Sequence, residues 1–159
     1  MTVKQALACA RRLLLQANID DAPLEAELLL RDALRISRAQ LYSELERELG
    51  AGEVQAFWGR VSRRLMREPT AYILGHREFY GLDFYVDPRV LIPRPETELV
   101  VERALELAQG HPRPTIADVG TGCGAIAISL ALGLPQATIY AIDLSPAALE
   151  AVSYTHLPL

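Results

Sequence analysis

The chain has 159 residues, half of them hydrophobic, enough for one sizeable core or two small ones. A net charge of −4 argues against a generic nucleic-acid surface, and Cys9 and Cys123 lie too far apart to suggest a disulfide framework or a zinc site. Lys4, Arg11 and Arg12 interrupt any signal-peptide core, and the longest apolar stretch, residues 125–135, is too short to span a bilayer, so a cytosolic protein without membrane segments or a metal is expected.

Residues 1–69 read as a helical bundle. Val3, Ala6, Leu7, Ala10, Leu13, Leu14 and Ala17 recur at helical spacing. After a break at 18–22, Pro23 suits the first turn of a second helix with Leu24, Leu28, Leu29 and Ala33 as its buried stripe. Ser37 is a credible N-cap for a third helix reaching residue 45. Gly50 and Gly52 precede a fourth, marked by Val54, Phe57, Trp58, Val61 and Leu65 and stopped by Pro69. Arg60, Arg63, Arg64 and Arg67 give that helix a basic face, either a solvated surface or a docking patch for an acidic macromolecule.

Residues 70–95 change character. Two β-rich runs, 76–80 and 83–86, flank Gly81 and Leu82 and read as a hairpin. Pro88, Pro93 and Pro95 stiffen the chain around Arg94, and Glu96 opens a helix to about residue 108. Proline spacing fixes where Arg94, Thr97 and Glu98 sit, although acids in a first helical turn commonly just complement its dipole.

The most informative stretch is 115–143, read as strand, glycine loop, helix and strand. The first strand, 115–119, is β-branched and suits burial on both faces of a parallel sheet. It leads into Gly120, Thr121, Gly122, Cys123 and Gly124, where three glycines leave room for a flat or polar group against the backbone. The helix runs from 125 to about 132, and the second strand, 137–142, stops on Asp143. An acid there, 19 residues after Gly124, is placed to accept hydrogen bonds from two ribose hydroxyls. Gly120, Gly122 and Ala125 also fit the dinucleotide pattern, so a nicotinamide cofactor competes with S-adenosylmethionine. Asp118 favours the methyl donor, which is cationic where a dinucleotide carries pyrophosphate; its competing role is that of a loop-bracing carboxylate. Cys123 occupies a position that wants a small residue and reads as filler.

Ile-Pro-Arg-Pro-Glu-Thr-Glu at 92–98, within the longer stretch 67–105, and Asp-Val-Gly-Thr-Gly-Cys-Gly at 118–124 together resemble the release-factor glutamine N5-methyltransferase family, PrmC/HemK. The resemblance runs to about residue 152. It implies an α/β chain: a helical release-factor-binding domain (1–69), a hairpin and linker (70–95), and the start of a Rossmann-like class I methyltransferase domain (96–152). It implies S-adenosylmethionine as cofactor, held by Gly120 to Gly124 and Asp143, with Asp118, Arg94, Thr97 and Glu98 flanking. It further implies peptide chain release factors as protein substrates, presenting the glutamine of a Gly-Gly-Gln loop, and a monomer without direct nucleic-acid binding.

The family's Asn-Pro-Pro-Tyr loop, which grips the acceptor amide, has no counterpart in these residues. No catalytic residue is therefore expected in the chain, and the expectation is a truncated, inactive fragment whose two parallel strands lack neighbours and leave one face uncovered. Residues 144–152 still suit a helix capped by Ser145 with Pro146 in its first turn, whereas 153–159 depart from the pattern and read as a non-native tail. Two readings compete: an NAD(P)-binding reductase using the same loop, and a non-catalytic fragment that only binds release factors.

Overall fold

The structure, a computed structural model, describes residues 1–154. Its backbone contacts divide it into two compact units, Met1–Leu74 and the chain from Gly75 onward. Together they make a mixed helical and small-sheet protein of the α/β kind, and no described helix is long and apolar enough to cross a membrane.

The first unit contains α1 (Val3–Gln16), α2 (Ala22–Leu34), α3 (Arg38–Ser43), α4 (Ala51–Leu65) and α5 (Thr70–Leu74). Thr2 and Gln5 close a reciprocal capping box at the start of α1. The next two amides of α1, on Val3 and Lys4, find the carbonyls of Arg47 and Leu45, so α3 ends at Ser43 because the chain beyond it turns back to satisfy the α1 N-terminus. Ser37 caps α3 as its position predicted, with Gln40 completing the box.

In α2 the buried residues are Ala22, Ala26, Glu27, Leu29 and Leu30, while Leu24 is 50% exposed and Leu28 only half-buried. Three successive leucines allow several apolar faces. The small Ala22 and Ala26 bring the α2 backbone close to α1, whose own buried face carries Ala6 and Ala10, and this selects the face. Glu27 is thereby drawn inside, where Tyr42 donates its hydroxyl to it at 2.8 Å and Arg38 pairs with it at 2.9 Å. Phe57 and Val61 of α4 and Ile73 of α5 complete this core. The single turn of α5 is too short to show periodicity in a sequence that reads as the approach to a hairpin.

The arginines of the α4 basic face all have partners within the first unit, Arg60 and Arg64 half-buried and Arg63 and Arg67 exposed. Arg60 pairs with Asp32, Arg63 donates to both oxygens of Glu68, and Arg64 reaches Glu25 at 2.8 Å, where Thr70 also donates its hydroxyl. Arg67 donates to the carbonyls of Ala17 and Asn18 at the end of α1, where a helix presents unsatisfied acceptors. The Arg64–Glu25 pair is mostly buried, with side chains 16% and 19% exposed. Arg64→Ala is expected to cost about 2 kcal/mol by stranding the carboxylate, read as a lower urea midpoint in Trp58 fluorescence.

The second unit opens with a hairpin of β1 (His76–Phe79) and β2 (Leu82–Tyr85), antiparallel, with Phe79 opposite Leu82. The turn is Tyr80-Gly81, one residue earlier than the glycine suggested, and both residues have positive φ, 54° and 74°. Such turns match the twist of the flanking strands. Phe79 and Phe84 stack edge to face beneath it. After β2, Asp87 accepts from the side chain and the N–H of Arg89 and from the Tyr85 hydroxyl. The Arg89 guanidinium, foremost among these, holds the Asp87 carboxyl down at about 2. Because this lies below the unfolded value of roughly 3.9, the stabilisation is present above pH 4 and lost as pH falls toward 2. Asp87→Asn is expected to lower stability at pH 7 by about 1–2 kcal/mol and to flatten the dependence of the urea midpoint between pH 4 and pH 2.

A 3-10 turn (Pro95–Thr97) leads into α6 (Glu98–Ala108), so the α-helix proper begins two residues after Glu96. There follow β3 (Thr115–Val119), α7 (Ala125–Gly133), β4 (Thr138–Ile142) and α8 (Pro146–Ser153). β3 and β4 pair in parallel, with Thr115 opposite Thr138 and Val119 opposite Ile142. α7 crosses α6 closely at Gly133, where a Cβ would come within 2.7 Å of the Leu105 side chain. β3 is not buried on both faces. Val119 is 77% exposed, and Ala117, Tyr140 and Ile142 share its uncovered face, because α6, α7 and α8 leave that face of the two strands without a layer. Of the stretch read as a non-native tail, Ser153 ends α8 and the Tyr154 ring packs on Tyr85; residues 155–159 lie outside the described residues.

Candidate functional site

The loop between β3 and α7 is built by hydrogen bonds to the end of β4. The amides of Gly120 and Thr121 both donate to the Ile142 carbonyl, at 2.7 and 2.9 Å. The Gly122 amide donates to Asp143 Oδ2 at 2.9 Å, and the Gly124 amide to the Thr121 carbonyl at 2.8 Å. Gly120, Gly122 and Gly124 all lie at positive φ, which such a path requires.

The glycines differ in what their missing side chains allow. A Cβ on Gly120 or Gly122 would meet nothing within 4 Å, so those faces of the loop are open. A Cβ on Gly124 would meet Val152 at 3.0 Å and Ile128 at 3.1 Å, so this glycine serves packing against α8. Cys123 and Thr121 are buried, and burial pushes the Cys123 thiol up, away from the thiolate a nucleophile needs.

Asp143 directly follows β4 with both oxygens engaged, Oδ2 by the Gly122 amide and Oδ1 by the Ser145 amide, each at 2.9 Å. The Ser145 and Gly122 amides hold its carboxyl below the usual carboxylate range. Each oxygen keeps a second lone pair for a hydroxyl donor. Ser145 itself caps α8.

Asp118 braces the loop and caps the helix. Its Oδ2 accepts from the Thr121 hydroxyl at 2.7 Å and from the Ala127 amide, in the first turn of α7, at 3.2 Å. The positive end of α7 is therefore already matched by a carboxylate. With four loop amides used internally, few donors remain for a pyrophosphate, and the loop offers an open, flat surface instead.

Among the described residues no hydrogen bond or ion pair joins Arg94, Thr97 or Glu98 to the glycine loop. Arg94 is exposed and extended between its two prolines, and the Thr97 amide closes a turn on the Arg94 carbonyl at 3.0 Å. Glu98 Oε1 accepts from the Tyr80 amide at 2.9 Å, which draws the hairpin turn to the start of α6. Neither the Ile142 carbonyl nor the Tyr80 amide is signalled by the sequence, since every residue has both groups.

A parallel β-α-β unit with a glycine loop clasped under an acidic strand end, following a helical unit, sets the class: an α/β protein with a built loop site. Residues 5–75 match the PrmC N-terminal domain. The chain is 49% identical over 149 residues to a release factor glutamine methyltransferase of Moorella thermoacetica, covering 94% of this chain and 53% of that one. It is 48% identical to that of Koribacter versatilis, covering 94% and 54%, and 50% identical to that of Chlorobaculum tepidum, covering 85% and 48%. Over most of its length the chain is similar to release factor glutamine methyltransferases. It spans about half the length of the curated relatives it matches.

Proposed function

We propose that this chain binds S-adenosylmethionine on its glycine loop and forms part of an enzyme that methylates the N5 amide nitrogen of the glutamine in the Gly-Gly-Gln loop of peptide chain release factors. The observation that carries the cofactor reading is Asp118, whose carboxylate occupies the positive end of α7 where a dinucleotide's pyrophosphate would need to sit. A sulfonium and an ammonium are compatible with that charge.

In this reading the unit from residue 96 begins a Rossmann-like methyltransferase domain, residues 1–69 engage the release factor, and the hairpin and linker at 70–95 join them. Gly120 and Gly122 present the open surface, and Thr121, Cys123 and Gly124 support it from beneath. The unused lone pairs of Asp143 take the ribose hydroxyls, while Arg94, Thr97 and Glu98 flank the site. The bound cofactor supplies an electrophilic methyl group on sulfur. An amide nitrogen is a poor nucleophile because its lone pair is delocalised, so the acceptor must be held by preorganised polar groups. The Asn-Pro-Pro-Tyr segment suited to that task is not among these 159 residues, whose proposed part is to hold the cofactor and engage the release factor. The reading places it in the cytosol with its release-factor partner, as a monomer that does not itself bind nucleic acid.

Calorimetric titration tests it. S-adenosylhomocysteine is expected to bind and NADH not to. NADH binding without S-adenosylhomocysteine binding would overturn the proposal in favour of a reductase.

A further inference from the structure

We propose that Glu98 is a positioning residue that acts on the cofactor site through the hairpin turn, without touching the cofactor; the inference rests on the S-adenosylmethionine reading above. In a two-residue turn the ladder closes between Phe79 and Leu82, which leaves the amide of the first turn residue without a partner in the sheet. That residue is Tyr80, a bulky side chain held at φ 54°, and its amide is taken up by Glu98 Oε1 at 2.9 Å. An orphan donor and an uncommon backbone conformation are thus satisfied by one carboxylate 18 positions away.

Glu98 also opens α6, directly after the turn that begins at Pro95. One residue therefore ends the Arg94–Glu98 loop and holds the hairpin. The Tyr80–Glu98 bond closes the intervening segment into a ring. Within it Pro88, Pro93 and Pro95 fix three φ angles, and Asp87 ties the Arg89 amide at 2.9 Å. With its ends joined and its interior stiffened, the ring leaves residues 94–97 little freedom, so a ligand beside them does not have to order them. Cutting the bond returns that ordering cost to the binding step.

The test uses Glu98→Ala, Glu98→Asp and Glu98→Gln in this chain, with two readouts: amide exchange at Tyr80 without ligand, and calorimetric affinity for S-adenosylhomocysteine. Glu98→Ala is expected to speed Tyr80 exchange at least tenfold and weaken binding about tenfold. Glu98→Asp keeps the charge at the helix start but withdraws the oxygen, and is expected to do the same, which covers the case that the alanine variant folds poorly. Glu98→Gln keeps a carbonyl acceptor and is expected to stay within twofold of wild type in both. Weakened binding with unchanged Tyr80 exchange would mean direct contact and overturn the inference, as would faster exchange with unchanged affinity. No binding by the wild-type chain would instead overturn the cofactor reading, and the inference with it.

Discussion

Gly124→Val is expected to destabilise the second unit by about 3 kcal/mol and to abolish S-adenosylhomocysteine binding. Two costs add. A β-branched residue at φ 82° is strained by roughly 1–3 kcal/mol, and its Cβ would lie 3.0 Å from Val152 and 3.1 Å from Ile128, an overpacking worth about 1–3 kcal/mol more. Gly122→Ala provides the contrast. Its φ is 56° but its Cβ meets nothing, so only the smaller strain cost of about 1 kcal/mol is expected. Urea unfolding followed by circular dichroism measures both, while Trp58, the single tryptophan, lies in the first unit and should report an unchanged midpoint there. Equal losses for the two variants would show that the glycines serve the loop's path alone and that α8 does not press on Gly124.

Asp143→Ala is expected to weaken S-adenosylhomocysteine binding at least a hundredfold. The substitution removes the acceptors proposed for the ribose and also releases the Gly122 and Ser145 amides, so the loop and the α8 start lose their common tie. Asp143→Asn separates these contributions. It keeps one oxygen for one amide but puts an NH2 where the other amide needs an acceptor, and should fall between wild type and alanine. Because the Ser145 and Gly122 amides depress the Asp143 carboxyl, the group stays ionised wherever the protein is folded near neutrality. Affinity is therefore expected to be flat from pH 8 to pH 5 in calorimetric titrations. A rise or fall through that window would show a different titrating group in control.

The sequence by itself determined what residues within about four positions of each other decide. Ser37 and Ser145 cap the helices they were expected to cap, because a side-chain oxygen three residues before an unsatisfied amide needs no distant partner. The hairpin, the glycine loop and the strand ending on Asp143 are legible for the same reason, through turn chemistry and apolar runs. The motifs at 92–98 and 118–124 carried the resemblance to release factor glutamine methyltransferases, which the similarity over 149 residues supports. Tertiary structure alone decided the partners. It chose the α2 face carrying Ala22 and Ala26 over the one carrying Leu24, consumed the α4 arginines in ion pairs and carbonyl contacts, and ended α3 early to satisfy α1. It also joined Glu98 to Tyr80 and gave the Ile142 carbonyl two loop amides. Periodicity states that a helix has an apolar or a charged face. Which groups meet that face depends on desolvation and close packing between segments up to 50 positions apart, as for Arg67 and Ala17, and no local pattern encodes that.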